Sequence, residues 1–260
     1  MKKLIFSALV ATTLFVSSCG KDDDNGGGST SIKGDWYLYA IYKNQEKKWA
    51  SPNDCAKQIH YSFSDTQIKH EWYHLEGSEC KYTPIYYDYT LSDGIINLTI
   101  SNNSPNGIKG QKVKPAKYEM KGKELIQYYE GNYGFEETII LHKKGVDYSY
   151  LDPFVGVWKM TKATVGQTEA IVQEGKCLDG EVVATSLGFT LYLEAPNQSG
   201  QCRETLETFK WVKEGNKYYD ITDPQKKEEL AFVFSENNTK LSYSTPSDNG
   251  LVTIYLTKVK

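Results

Sequence analysis

Ile32-Lys33-Gly34-Asp35-Trp36-Tyr37-Leu38 and Phe154-Val155-Gly156-Val157-Trp158-Lys159-Met160 decide the reading of this 260-residue chain. Each sets a bulky apolar residue, a glycine, a tryptophan and a second bulky apolar residue at alternate positions, the period of a strand with one buried face. The second stretch follows the first at an offset of 122 residues (34 to 156, 36 to 158), and the same offset carries Cys55 to Cys177 and Cys80 to Cys202. The members of each cysteine pair stand 25 positions apart. Markers held at one offset without a net insertion imply a tandem duplication of one unit.

Period-2 alternation and turn residues dominate both halves, with almost no long amphipathic helix. In the first unit strands are expected near Gly34–Lys43, Gln58–Phe63, Gln67–His74, Lys81–Leu91, Ile95–Ser101, Ala116–Met120, Glu124–Glu130 and Glu136–Lys143. In the second they are expected near Val155–Thr164, Glu181–Thr185, Leu187–Glu194, Arg203–Lys213, Lys217–Ile221, Glu229–Ser235, Lys240–Ser244 and Leu251–Lys258. Short strands joined mostly by tight turns form an antiparallel meander that gains by closing. The expected fold is therefore all-β, with two tandem small antiparallel up-and-down β-barrels. At the duplication offset Tyr87 and Tyr89 map onto Phe209 and Trp211. Each pair is large and two apart, so it faces one side, read as the barrel interior and a candidate ligand-lining surface.

Four cysteines remain besides Cys19, an even number that suits disulfides in an exported chain. Duplication selects Cys55–Cys80 and Cys177–Cys202 from the three possible pairings. Zinc-type Cys-x-x-Cys spacing is missing. Gly-x-Trp on a first strand, a cysteine before the second strand, another before the fourth and a late Leu-x-Tyr strand together resemble the short lipocalin-like domains of Bacteroidetes surface lipoproteins. The resemblance implies that Trp36 and Trp158 plug the closed ends of the barrels. It also implies a covering arginine, which this chain lacks; Lys143 and Lys258 are placed to substitute through a cation–π contact. An immunoglobulin-like sandwich ranks second, because there a tryptophan lies between the two cysteines and here it precedes both.

The N-terminus points to export. Met1-Lys2-Lys3 is followed by an apolar run, Leu4 to Val16, too short to span a membrane. Val16-Ser17-Ser18-Cys19 resembles a bacterial lipobox, which implies cleavage after residue 18 and acylation of Cys19. Gly20-Lys21-Asp22-Asp23-Asp24 resembles the signal that sends such lipoproteins to the cell surface. The expected organisation is a signal peptide over 1–18, a lipidated cysteine and flexible tether over 19–31, repeat 1 over 32–144, a linker over 145–152 and repeat 2 over 153–260. The expected location is the outer membrane, facing outward.

Net charge is −3, and removal of Lys2 and Lys3 with the leader makes it −5. Arg203 is the sole arginine and no basic patch stands out, which argues against nucleic acid. His70-Glu71-Trp72-Tyr73-His74 spells His-Glu-x-x-His, the zinc-peptidase motif. That motif works on a helix. Trp72 and Tyr73 favour a strand, on which His70, Trp72 and His74 share a face and Glu71 points away, so these are expected to be solvated strand residues. His70 and His74 remain weak metal candidates, and no cofactor is expected. The leading function is a non-enzymatic binding protein for a small apolar or amphipathic molecule or for a protein. The alternatives are a glycan-binding adhesin using exposed tyrosines, of which the chain has 20 in all, a metallopeptidase through His70, Glu71 and His74, and a subunit or inhibitor within an outer-membrane assembly.

Overall fold

The computed structural model describes residues 31–130, 136–146, 148, 151–173, 176–196, 199–247 and 250–259. The expected signal peptide, Cys19, the export signal, most of the tether and the turn at Gly131-Asn132 lie outside the described residues. Among those that are described, no helix is long and apolar enough to cross a membrane.

The first half is a nine-stranded sheet: β1 (Gly34–Lys43), β2 (Lys48–Ala50), β3 (His60–Phe63), β4 (Gln67–Glu76), β5 (Glu79–Ser92), β6 (Ile95–Ile100), β7 (Lys112–Lys121), β8 (Glu124–Glu130) and β9 (Glu136–Lys143). Successive strands from β3 to β9 pair antiparallel, β1 pairs with β3, and β9 returns to β1, closing a barrel. The second half comprises β10 (Gly156–Val165), β11 (Thr168–Ile171), β12 (Asp179–Ala184), β13 (Phe189–Pro196), β14 (Cys202–Phe209), β15 (Trp211–Glu214), β16 (Lys217–Asp220), β17 (Glu228–Ser235), β18 (Lys240–Ser247) and β19 (Gly250–Lys258). It follows the same path, and β10 pairs with β19 as β1 does with β9. This barrel is nearly closed, because β14 and β15 are not hydrogen-bonded neighbours. The disulfides are Cys55–Cys80 and Cys177–Cys202.

Several strands differ from expectation. Gln58 belongs to a 3-10 turn, Ala56–Gln58, because the Asn53 side chain accepts the Ala56 N–H at 2.8 Å and holds the chain in a turn. The expected strand Arg203–Lys213 breaks at Lys210, whose N–H goes to the Thr222 hydroxyl at 2.8 Å instead of into a ladder. The short strands β2 and β11 carry too few residues to show a period. Strand β7 starts at Lys112, four residues before expectation, in spite of Pro115. Lys114 and Pro115 sit in a bulge, where β6 pairs first Ile96 with Ala116 and then Leu98 with Val113, so the missing proline N–H leaves no ladder bond unmade.

The duplication offset also slips locally. Phe63 pairs with Ile68, and the corresponding pair is Ala184 with Phe189. The second barrel is thus one residue short before β12 and regains it in the β13–β14 connection, since Leu75↔Cys80 corresponds to Pro196↔Cys202. His70 therefore corresponds to Leu191, not to Tyr192.

Each barrel has its own core. Trp36, Leu38, Phe63, Ile68 and Leu125 anchor the first, and Phe154, Trp158, Phe189 and Leu256 the second. A third cluster joins them: Ala40, Trp49, Ile126 and Ile140 of the first barrel pack with Val183 of the second. A bulge in β1 between Leu38 and Ala40 makes this possible, because it shifts the inward-facing set and turns Ala40 outward. Polar contacts lock the joint. The Trp49 N–H donates to the Thr190 hydroxyl at 2.7 Å, the Thr208 hydroxyl donates to the Lys47 carbonyl at 2.6 Å, and Lys121 Nζ donates to the Ser186 carbonyl at 2.8 Å.

Candidate ligand-binding site

Alternation puts one face of every strand inside the barrel. In the first barrel that face does not fill the interior. It leaves a partly open cavity of about 250 Å³, room for about eight waters. Its rings come from Tyr61, Phe63, His70, Trp72, Tyr87 and Tyr129. Its aliphatic wall comes from Ile68, Ile96, Leu98, Val113 and Ile139, and its remaining polar groups from Gln127 and Glu137. Trp36 is fully buried in the core of this barrel and donates its indole N–H to the Ile32 carbonyl at 2.7 Å. Trp72, 43% exposed, stands on the wall toward the β4–β5 hairpin.

His70 and the tyrosines of the wall are uncharged at neutral pH. Burial lowers the His70 pKa to about 4, with nearby His60 acting in the same direction, so the imidazole is neutral. The ring lies parallel to Tyr61 at 4.2 Å, and its Nε2 has no hydrogen-bond partner among the described residues. Burial raises the pKa values of Tyr61, Tyr87 and Tyr129, keeping the phenols protonated. The Tyr129 hydroxyl donates to Gln127 Oε1 at 2.7 Å, which orients an amide that is almost fully buried. A wall of apolar carbon with a few neutral polar groups is what a small apolar or amphipathic guest requires.

The second barrel uses its interior differently. Phe154 meets Phe232 at 4.5 Å, Phe189 meets Phe209 at 4.7 Å, and Tyr218 meets Phe232 at 5.5 Å between centroids. Trp211 joins this stack at 5.4 Å from Phe154 and donates its N–H to the Thr185 carbonyl at 2.9 Å. Rings at such separations pack against one another. Of the four aromatics singled out in the sequence, Tyr87 lines the first cavity, Tyr89 is buried in the core with its hydroxyl on the Ser64 carbonyl at 2.7 Å, and Phe209 and Trp211 belong to the second barrel's aromatic packing.

His70-Glu71-Trp72-Tyr73-His74 lies in β4. His70 and His74 are four positions apart on an extended strand, about 13 Å of chain, where the zinc motif needs one helical turn. Glu71 points to the other face, where it pairs with His60, with Lys69 Nζ at 2.5 Å and with the Tyr82 hydroxyl at 2.7 Å. Burial alone would raise the Glu71 carboxyl; the hydrogen bonds from Lys69 and Tyr82 outweigh it and hold the group below its usual value. The expectation of solvated residues is corrected for His70, which is part of the cavity wall, and for Glu71, which is buried. Among the described residues, the group with metal-like spacing is Cys177, Glu194 and Cys202, whose two sulfurs are already bonded to each other.

Sequence reasoning did not place Gln127, Tyr129 or Glu137 on a cavity wall; it read Tyr129 as one of a tract of tyrosines and Glu137 as a solvated carboxylate. The signal was present in Leu125-x-Gln127-x-Tyr129, where polar residues continue the inward-facing alternation that Leu125 begins.

Residues 32–126 match the family described as a lipocalin-like domain. Over that stretch, β1 to the start of β8 in the first barrel, the chain is similar to a lipocalin-like domain. A lipocalin-like protein from Bacteroides uniformis ATCC 8492 is similar at 18% identity over 43% of this chain and 97% of that one, with a TM-score of 0.32. An uncharacterized protein from Bacteroides eggerthii DSM 20697 is similar at 20% identity over 44% of this chain and 99% of that one, with a TM-score of 0.31. The isotype 1 transferrin binding protein B from serogroup B Neisseria meningitidis is similar at 11% identity over 78% of this chain and 65% of that one, with a TM-score of 0.21. The search of curated proteins found no match.

Proposed function

We propose that this chain is a non-enzymatic binding protein that holds a small apolar or amphipathic molecule in its first barrel, and that an acylated Cys19 anchors it in the outer membrane, facing outward. The observation that carries the reading is the contrast between the barrels: the first keeps a cavity of about 250 Å³, while the second packs aromatic rings together. The anchor rests on the sequence of residues 1–24 and on its likeness to lipoprotein leaders. The adhesin reading is weaker, because among the described residues the exposed rings Trp72 and Tyr82 lie on opposite faces of the β4–β5 ribbon and form no flat platform.

The test is a titration with N-phenyl-1-naphthylamine, an uncharged probe that brightens in apolar surroundings. The full chain carrying Cys19→Ser, which removes the acyl acceptor, is expected to bind it saturably. Leu98→Trp and Val113→Phe each add side-chain volume at the cavity wall and are expected to weaken binding at least tenfold, with the near-ultraviolet circular dichroism of a packed fold retained. Saturable binding that both fillers leave intact would remove the cavity reading. For the anchor, labelled palmitate should enter the wild-type chain and not Cys19→Ser, and external protease should reach the chain on intact cells.

A further inference from the structure

The first barrel has a second chamber, and its position follows from the pairing of three strands. Strands β7 and β8 are hydrogen-bonded from Lys121↔Glu124 to Lys117↔Tyr128 and no farther. Above that pair β7 stays with β6, while β8 stays with β9 through Tyr129↔Glu137. The divergence begins where the Lys114-Pro115 bulge bends β7. The wall therefore splits, and the split holds a chamber of about 440 Å³. Lys114, Pro115 and Lys117 form its β7 side, and Tyr128, Tyr129 and Glu137 its other side. Tyr129 and Glu137 also line the inner cavity, so the two chambers share a wall.

We propose that the slot between β7 and β8 is the second half of the binding site and takes the anionic head group of a ligand whose apolar body lies in the inner cavity. The proposal rests on the cavity reading given above and adds the ligand's charge and the place that recognises it. The inner wall offers rings, aliphatic carbon and neutral polar groups, with Glu137 shared with the slot, a lining that suits an uncharged body. The slot offers two ammonium groups, Lys114 and Lys117, against the Glu137 carboxylate, a net positive balance among its lining residues. Tyr128 also lines the slot, but its phenol is already hydrogen-bonded to the neighbouring Glu119 carboxylate, and burial first and that carboxylate second push its pKa up to about 12, so recognition of the anion falls to the two lysines. An elongated molecule ending in a carboxylate, sulfonate or phosphate meets both demands at once; a cationic amphiphile would set its charge against two lysines.

The experiment compares two probes with the same aromatic body. N-phenyl-1-naphthylamine is uncharged, and 1-anilinonaphthalene-8-sulfonate carries the anion. With the full Cys19→Ser chain the sulfonate is expected to bind more tightly, and Lys114→Ala/Lys117→Ala to weaken it about fivefold, the scale of exposed ion pairs, while leaving the uncharged probe unchanged. Lys114→Glu/Lys117→Glu should reverse the preference, and Glu137→Gln should strengthen sulfonate binding. Both lysines are exposed and form no part of the core, so these variants should fold. Equal sulfonate binding before and after lysine removal, with the uncharged probe still bound and still excluded by Leu98→Trp, would overturn the slot and leave the inner cavity standing. Failure of both probes to bind the unaltered chain would overturn the cavity reading and the slot with it.

Discussion

Lys143 Nζ stands 4.9 Å from the centre of the Trp36 ring, and Lys258 Nζ stands 5.1 Å from that of Trp158. Each lysine comes from the last strand of its barrel and crosses the first, over a glycine. Gly156 has φ +150°, and a Cβ there would lie 2.4 Å from Lys258 Cε. Gly156 thus makes way for the cation that covers Trp158, whereas at Gly34 a Cβ would lie 3.9 Å from Lys143 Cε and it is the φ of +110° that favours glycine. Lys258→Met and Lys143→Met keep the stem and remove the charge. Each is expected to lower stability by about 1 kcal/mol, read as a shift in urea midpoint followed by tryptophan fluorescence. Lysine-to-arginine replacement should retain or increase stability, and a loss as large as that of the methionine variants would refute the cation–π account.

His70 gives the fold a defined acid response. Its pKa falls from the ordinary 6.5 to about 4 on folding, because burial disfavours the charged ring. The unfolded chain therefore binds the proton more readily. The neutral ring contributes full stability above about pH 6.5, and that contribution is lost as pH falls toward about 4, up to about 3 kcal/mol in all. Urea midpoints measured between pH 7 and pH 4 should fall less steeply for His70→Gln than for the unaltered chain. Parallel slopes would show that His70 takes up its proton without cost in the folded state.

Much of this architecture was legible in the chain because its markers are local. Gly34, Trp36 and their copies announce the first strands, and the paired cysteines announce the staples. What escaped was set by partners distant in sequence. The inward alternation of Leu125, Gln127 and Tyr129 reads equally well as packed core, and only the arrangement of neighbouring strands leaves space beside it. Bulges at Leu38/Ala40 and at Lys114-Pro115 reverse side-chain facing without any sequence signal strong enough to place them. The role of Trp49 depends on a surface of the other barrel more than 130 residues away, which no periodicity encodes.

That joint makes the barrels energetically dependent. Trp49 is buried at 6% exposure, and a Cβ on Gly188 would lie 2.6 Å from the Phe209 carbonyl oxygen and 3.0 Å from Trp49 Nε1. Trp49→Ala should cost about 3 kcal/mol as a cavity, and Gly188→Ala about 2 kcal/mol as overpacking. Calorimetry should show one transition in the unaltered chain and two, nearer to independent barrels, in Trp49→Ala. A single transition that merely moves to lower temperature would mean that Trp49 supports one barrel and does not couple the pair.

Glu124 and His142 test the same region through charge. Glu124 is fully buried, its Oε1 meets His142 Nε2 at 2.8 Å, and its Oε2 has no partner among the described residues. The imidazole is clasped between Tyr39 at 4.0 Å and Tyr148 at 3.8 Å, both nearly parallel to it. Tyr148 in turn accepts the Lys143 N–H at 2.6 Å and donates to the Lys123 carbonyl at 3.0 Å, so the stack ties the connection after β9 to the first barrel. Removing one member of a buried pair strands the other. His142→Ala is therefore expected to cost about 3 kcal/mol or more, because it leaves a carboxylate in an apolar wall and removes a ring from the stack. His142→Phe keeps the stack and loses only the polar partner. Combined with Glu124→Leu it should recover most of the loss, since no charge then remains to be satisfied. A double variant no more stable than His142→Phe alone would show that the carboxylate does not depend on the imidazole, and that the rings, not the pair, hold this wall.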